Sequence, residues 1–390
     1  MNSSRKTLAL LTGSAILVFV AMVASFAPTP LYPLYKQLWG LTDPQIAWIF
    51  TSYPVGVLIV LIFLGGISDR IGRRTTLFVG IGILAVAFVS LAFAPSYPFL
   101  LLGRLLHGFG IGMVTSAAAS AIMESHPKGI HAGAFLNTAC IALGIAFGPL
   151  LSGVLTDLLP FPLITPYLVI ALSLAVPLVF LMFATNDQKS ISQTRIIRPI
   201  AVPRKLLLPF SVSSATIACA NLAMSLFGSF GGEISSGIGW SSQTQIGWFI
   251  FMVFFMLAIA QFVGRRWHFS VMVAAGAVGS TIGWGLTLWG VTAEVTSLFV
   301  VGSLIVGFSS GLCLLGSGGL IAAISPEDRR AELYSAHLVV AFTTLGLVAI
   351  VAGPLIANFG ILFVQVLAAF GSLMLALWVV SQGWRLRKYW

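Results

Sequence analysis

Charge is what this chain has least of. Only 8% of its 390 residues are Asp, Glu, Lys or Arg, against roughly a quarter in a soluble domain. That scarcity excludes an ordinary globular protein. With 58% hydrophobic residues and a mean hydropathy of +1.03, the solvent of this chain is the bilayer. Cysteine is scarce as well. Cys140, Cys219 and Cys313 lie in apolar runs without metal-ligand spacing, so they read as small buried hydrophobes and not as a disulfide framework or metal site. No metal, cofactor or enzymatic activity is expected, because no nucleophile or cluster of His, Asp and Glu stands out. The net charge of +10 invites a nucleic-acid reading. The basic residues are scattered among short loops, however, and membrane topology explains them better.

What the chain has in abundance is apolar runs. A spanning helix needs roughly 20 apolar residues, and the sequence supplies twelve such runs, near 8–34, 43–66, 75–95, 98–124, 131–158, 164–184, 206–231, 243–264, 269–290, 296–324, 332–357 and 360–383. The expected fold is therefore an all-α integral membrane protein with twelve transmembrane helices. The first run, behind Arg5 and Lys6, is too long for a signal-peptide core and reads as an uncleaved first span. One connection is long and polar: 186–205, with Lys189, Arg195, Arg198, Arg204 and Lys205, separates a six-helix half at 1–185 from another at 206–390. Placing both termini in the cytoplasm puts every Lys and Arg on that side except Lys36, which falls outside, and Arg104, which falls within a helix. The positive-inside bias favours that orientation.

The halves repeat. Gly103, Gly108, Phe109, Gly112 and Pro127 recur in order as Gly302, Gly307, Phe308, Gly311 and Pro326; Gly72-Arg73-Arg74 is echoed by Gly264-Arg265-Arg266, and Gly148-Pro149 by Gly353-Pro354. Two pseudo-symmetric six-helix halves are the simplest source of this pattern.

The densest charge lies in Gly65-Gly66-Ile67-Ser68-Asp69-Arg70-Ile71-Gly72-Arg73-Arg74, between the second and third runs. Such a cluster cannot sit in hydrocarbon and fixes a tight polar turn. Gly65 is expected to let another helix come close. Asp69 suits a charge-assisted hydrogen bond or a helix N-terminus, and Arg70, Arg73 and Arg74 suit an anionic leaflet. The pattern Gly-x-x-x-Asp-Arg-x-Gly-Arg-Arg resembles the loop between helices 2 and 3 of major facilitator superfamily transporters. The resemblance implies two halves around a central cavity, alternating access, and a latching role for Gly65, Asp69, Arg70, Gly72, Arg73 and Arg74, with Asp69 facing the start of helix 11 at Ser325-Pro326-Glu327-Asp328.

In the fourth run, Arg104 lies within hydrocarbon depth and is expensive there unless it faces a cavity or partner; snorkelling is the alternative. Followed by Gly108, Gly110 and Gly112, it resembles the superfamily's helix-4 motif, which implies proton coupling. His107, three residues on, shares its face and reads either as a packed neutral ring or as a proton carrier. Gly144, Gly148, Pro149 and Gly153 resemble the helix-5 motif of proton-driven antiporters, with Ser152 and Phe135 departing from it. Physically these residues allow a bend and close packing.

All ten acidic residues map to loops or helix ends, so Glu124, Asp157 and Glu233 remain weak proton-carrier candidates beside Arg104 and His107. Asn137, Thr138, Asn221, Ser225, His337 and Thr343 are the substrate-cavity candidates, against a default role as interhelical glue. A site without carboxylates suits neutral or anionic compounds. The resemblance to the drug-exporter branch implies proton-coupled efflux of a small hydrophobic compound from a bacterial inner membrane by a monomer. The alternative is import or exchange of a metabolite such as an organic anion or sugar. The expected partners are thus substrate, protons and lipid, with no nucleic acid.

Overall fold

The computed structural model describes residues 3–184, 201–326 and 329–383. Most of the expected linker and both Glu327 and Asp328 fall outside them. Among the described residues the regular structure is entirely helical, as a bilayer demands of backbone groups that have no water to bond.

The helices are α1 Ser3–Phe26, α2 Tyr32–Trp39, α3 Asp43–Phe63, α4 Ile67–Ile71, α5 Arg73–Ala92, α6 Tyr97–Ser125, α7 Ile130–Leu158, α8 Thr165–Ser173, α9 Ala175–Met182, α10 Leu207–Ser236, α11 Gln243–Gly264, α12 Phe269–Thr292, α13 Thr296–Ile324 and α14 Arg330–Gly383. Their apolar stretches give eleven candidate spans, the last running from Glu332 to Gln382. At Gly360 that stretch leaves helical dihedrals, with φ +80 and ψ 168, a conformation that suits glycine. Splitting there gives the twelve expected crossings. Below, the side reached at the end of the first crossing is called the far side.

The first crossing, expected over 8–34 with backbone breaks at Pro28, Pro30 and Pro33 near its far end, has those breaks and runs on to Trp39. Its first helix stops at Phe26, and the chain passes through a 3-10 turn at Thr29–Leu31 and resumes as α2 to Trp39. Pro28, Pro30 and Pro33 account for the break, since each lacks an N–H for the ladder.

The chain divides into two compact units, Met1–Leu31 with Ser52–Arg198, and Tyr32–Thr51 with Pro199–Trp390. The short piece Tyr32–Thr51 thus sorts with the helices of the C-terminal sequence. Within the first unit α1 packs on α6 and α7, and α5 on α6; within the second α10 packs on α13 and α14, and α12 on α13. These are the same pairings in the two repeats.

The recurring glycines explain why. A Cβ on Gly108 would lie 2.2 Å from the Tyr53 carbonyl oxygen, and one on Gly307 would lie 2.1 Å from that of Val253. Likewise Gly112 abuts Val60 while Gly311 abuts Leu257 and Ala260, and Gly103 abuts Leu91 while Gly302 abuts Thr287. Lipid tails are as apolar as leucine, so helices in a bilayer associate by close packing of small residues. The two units use one set of notches.

The large side chains left exposed on α14, among them Phe359, Phe370, Leu377 and Trp378, suit an acyl-chain environment.

Candidate functional site

The signature loop is a short helix, α4, closed by Gly72 at φ +88 with open space where a side chain would be. Gly65 does not make room for another helix, as expected from the sequence. Its missing Cβ would lie 2.7 Å from the Leu61 carbonyl oxygen of its own chain, with no other residue's atom within 4 Å, so it relieves the turn itself.

The basic residues also have protein partners. Arg73 forms an ion pair with Glu124 at the end of α6. Arg74 donates from Nε to the Leu181 carbonyl and from Nη2 to the Met182 carbonyl, both at 2.9 Å, with its guanidinium over the Phe78 ring. The last carbonyls of a helix lack intrahelical donors, so Arg74 caps α9 and ties it to the start of α5. Asp69 and Arg70 lie in α4.

Deeper in the first unit, α6 buries Arg104 and His107 completely. Snorkelling is therefore not what Arg104 does. Its Nη1 donates to the Ser25 carbonyl of α1 at 3.3 Å and to His107 Nδ1 at 3.0 Å, and its guanidinium carbon stands 5.2 Å from the Tyr53 ring centroid. A guanidinium nitrogen only donates, so Nδ1 must accept and the neutral ring carries its proton on Nε2. The ring stacks on Tyr53 at 5.1 Å and meets Phe88 edge-on at 5.0 Å, while Nε2 is buried without a hydrogen-bond partner. The arrangement offers a positive charge and one unused N–H donor inside an aromatic box. A desolvated cation over a ring contributes about 2 kcal/mol.

In α7 the helix-5 motif is a packing surface. The helix is continuous through Pro149. A Cβ on Gly144 would lie 2.6 Å from the Phe19 carbonyl oxygen, and one on Gly148 would lie 2.2 Å from that of Val23. The two glycines let α1 lie against α7; Gly153 is buried one turn on. The close packing expected of these residues is present. Nearby, Thr138 bonds back to the Ala134 carbonyl, and the Asn137 side-chain oxygen is buried without a partner.

The second unit has its own polar seam between α10 and α14. Ser213 Oγ donates to the Ser317 carbonyl at 3.1 Å and lies 3.3 Å from His337 Nδ1. With its proton so engaged the hydroxyl accepts from Nδ1–H, giving His337 the opposite tautomer to His107. Asn221 Nδ2 donates to the Ala341 carbonyl at 2.6 Å and to Thr344 Oγ1 at 2.8 Å. Thr344, not the exposed Thr343, is thus the engaged threonine. Ser225 is fully buried with its hydroxyl lacking a partner.

The acidic candidates do not converge. Glu124 pairs with Arg73, Asp157 is exposed near the end of α7, and Glu233 belongs to the second unit. There it shares Lys36 with Asp43, each carboxylate oxygen 2.5 Å from Nζ. Sequence reasoning missed Tyr53, Ser213 and Lys36 as participants. The first two lie far along the chain from their partners; Lys36 did carry a signal, as the lone basic residue assigned to the far side. Among the described residues no group of three His, Cys, Asp or Glu could hold a metal ion.

The chain is 32% identical over 93 residues to a niacin transporter of Acinetobacter baylyi, a match covering 24% of this chain and 21% of that protein. It is 26% identical over 157 residues to a methylenomycin A resistance protein of Streptomyces coelicolor, covering 40% of this chain and 32% of that protein. Each match thus spans a third or less of the relative. Among solved structures, a bacterial homologue of the human lysosomal transporter Spinster, in an inward-facing and occupied conformation, superposes with a TM-score of 0.80 at 12% identity, covering 100% of this chain and 99% of that one. That likeness concerns the fold. The sequence model of the Major Facilitator Superfamily matches residues 14–227, more than half of the chain, from within α1 to within α10. By that match, with the duplicated helix pairings beside it, the chain belongs to the Major Facilitator Superfamily.

Proposed function

We propose that this multi-pass membrane transporter exports a small, largely apolar compound, neutral or anionic, by alternating access and in exchange for protons. One observation carries the substrate class. Among the described residues Arg104 is the one permanently charged side chain that is completely buried, and its charge is positive. A cationic compound would be repelled there, while an acceptor or a carboxylate would be welcomed. The likeness to a resistance protein over 40% of the chain supports export.

In this reading Arg104 and His107 form the coupling element of the first unit, Asn221 and Ser225 line the substrate path, and Asp69 latches the near side during the cycle. Both termini lie in the cytoplasm of a bacterial inner membrane, and the monomer is the working unit. The near side is then cytoplasmic and the far side external.

A thermal-shift screen across antibiotics, dyes, sugars and organic acids identifies a ligand by the stabilisation it confers. Proteoliposomes with an imposed pH gradient then decide the mechanism. Exchange for protons accumulates the compound in vesicles that are acidic inside; accumulation in vesicles that are alkaline inside is co-transport and overturns the proposal. A second reading, uptake or exchange of an organic anion, draws support from the likeness to a niacin transporter and from the same buried Arg104.

A further inference from the structure

The duplication supplies an internal control for the Arg104–His107 pair, because the glycine notches fix which positions of the two units correspond. Gly108 faces the Tyr53 carbonyl as Gly307 faces that of Val253, so Tyr53 answers to Val253. Gly103 lies against the Ala87 carbonyl as Gly302 lies against that of Gly283. The next residue in each of those helices is Phe88 and Trp284, which therefore correspond. On α6 and α13 the same glycines align Arg104 with Ser303 and His107 with Val306.

Four positions thus change together. The first unit builds its box from Tyr53, Phe88, Arg104 and His107. The second has Val253, Trp284, Ser303 and Val306 there, all buried and none charged. Ser303 bonds back to the Phe299 carbonyl of its own helix at 2.9 Å, and Trp284 stacks on Phe227 of α10 at 5.5 Å. The notch is nevertheless as tight, 2.1 Å at Gly307 against 2.2 Å at Gly108. Close approach of these helices does not need a tyrosine; a valine serves.

What Tyr53 adds is contact with both members of the pair. Its ring lies 23° from the plane of the His107 imidazole, and the same ring faces the Arg104 guanidinium. The ring is itself tied down. Ser25 Oγ gives its proton to the Ala21 carbonyl at 3.1 Å, which leaves that oxygen to accept from the Tyr53 hydroxyl. The Ser25 carbonyl in turn takes Arg104 Nη1. An imidazole that can turn about its second side-chain torsion has two broadly similar settings, and only one presents Nδ1 to Arg104. A stacked ring selects between them, and a cation over that ring is held where it is.

We propose that Tyr53 is a positioning residue, whose ring holds the His107 imidazole in the setting where Nδ1 accepts from Arg104 and Nε2 keeps the proton. The buried charge and that N–H are thereby held in fixed directions. This role rests on the reading of the pair as the coupling element for its consequence in transport, and not for its geometry.

The test reads the tautomer. In full-length protein with isotope-labelled histidine nitrogens, magnetic resonance at alkaline pH shows which ring nitrogen carries the proton, and the His107 signal is the one that His107→Gln removes. Wild type and Tyr53→Phe, which keeps the ring, show the proton on Nε2. Tyr53→Val, which copies what the second unit has at this notch, raises the Nδ1-protonated share about tenfold, within the range of a desolvated cation–ring contact. Tyr53→Met serves if Tyr53→Val does not fold. An unchanged tautomer in the ringless variant overturns the proposal. Tyr53→Phe as disturbed as Tyr53→Val also overturns it, since the hydroxyl and not the ring would then do the positioning. No substrate enters the measurement, so its failure leaves the export reading standing, and failure of proton exchange leaves the positioning standing.

Discussion

Replacing His107 with phenylalanine keeps both ring contacts, to Tyr53 and to Phe88, but takes away the acceptor that Arg104 Nη1 uses. The expected loss is about 1–3 kcal/mol, the cost of an unmet buried donor, read as a lower melting temperature in detergent. His107→Gln, which can still accept, should lose less. Equal melting temperatures for the two would show that the bond contributes nothing. Arg104→Lys is no conservative change here, because one ammonium cannot reproduce a planar donor set resting on a ring. Arg104→Ala is expected to lower proton-linked transport at least about tenfold, worth ~1.4 kcal/mol of barrier. Wild-type transport with unchanged pH dependence would remove Arg104 from the coupling machinery.

The seams between helices carry most of the fold's specificity. Gly108→Ala pushes a Cβ to 2.2 Å from a backbone carbonyl of α3, and Gly307→Ala does the same to α11 at 2.1 Å. Backbone cannot yield as a side-chain tip can, so each should cost about 1–3 kcal/mol, by the same amount in both repeats. Gly82→Ala, with nothing within 4 Å, is the matched control and should be neutral or slightly stabilising. Thermal melts of the three variants check the comparison.

The duplication is legible because one pattern is stamped twice, as Gly103, Gly108, Gly112 and again as Gly302, Gly307, Gly311; which helices those glycines let meet is not. The spans themselves follow from apolar length. Partners across sequence were not legible. Glu233 is 197 residues from Lys36, and no periodicity links them. Tyr53 looks like any interfacial aromatic until α3 is laid against α6. Arg74 in sequence looks like a lipid contact, as basic loop residues usually are; in the fold it donates to main-chain carbonyls at the end of another helix, a kind of acceptor every residue possesses and no sequence flags.

Across the whole molecule, sidedness is the property most open to test. Lys128 and Phe161 are both exposed and flank the two ends of α7. With termini in the cytoplasm, Phe161→Cys should react with an impermeant thiol reagent in intact cells, and Lys128→Cys only after the membrane is opened. The reverse pattern would invert the assignment. Gly360 bears on the same question from another direction. Unbroken, the 54 residues of α14 would form a rod of ~81 Å, more than twice the hydrocarbon thickness of about 30 Å. One left-handed residue folds that rod back. The parity of the chain, an even number of crossings instead of an odd one, and with it the compartment into which the C-terminus emerges, is thus decided at a position without a side chain.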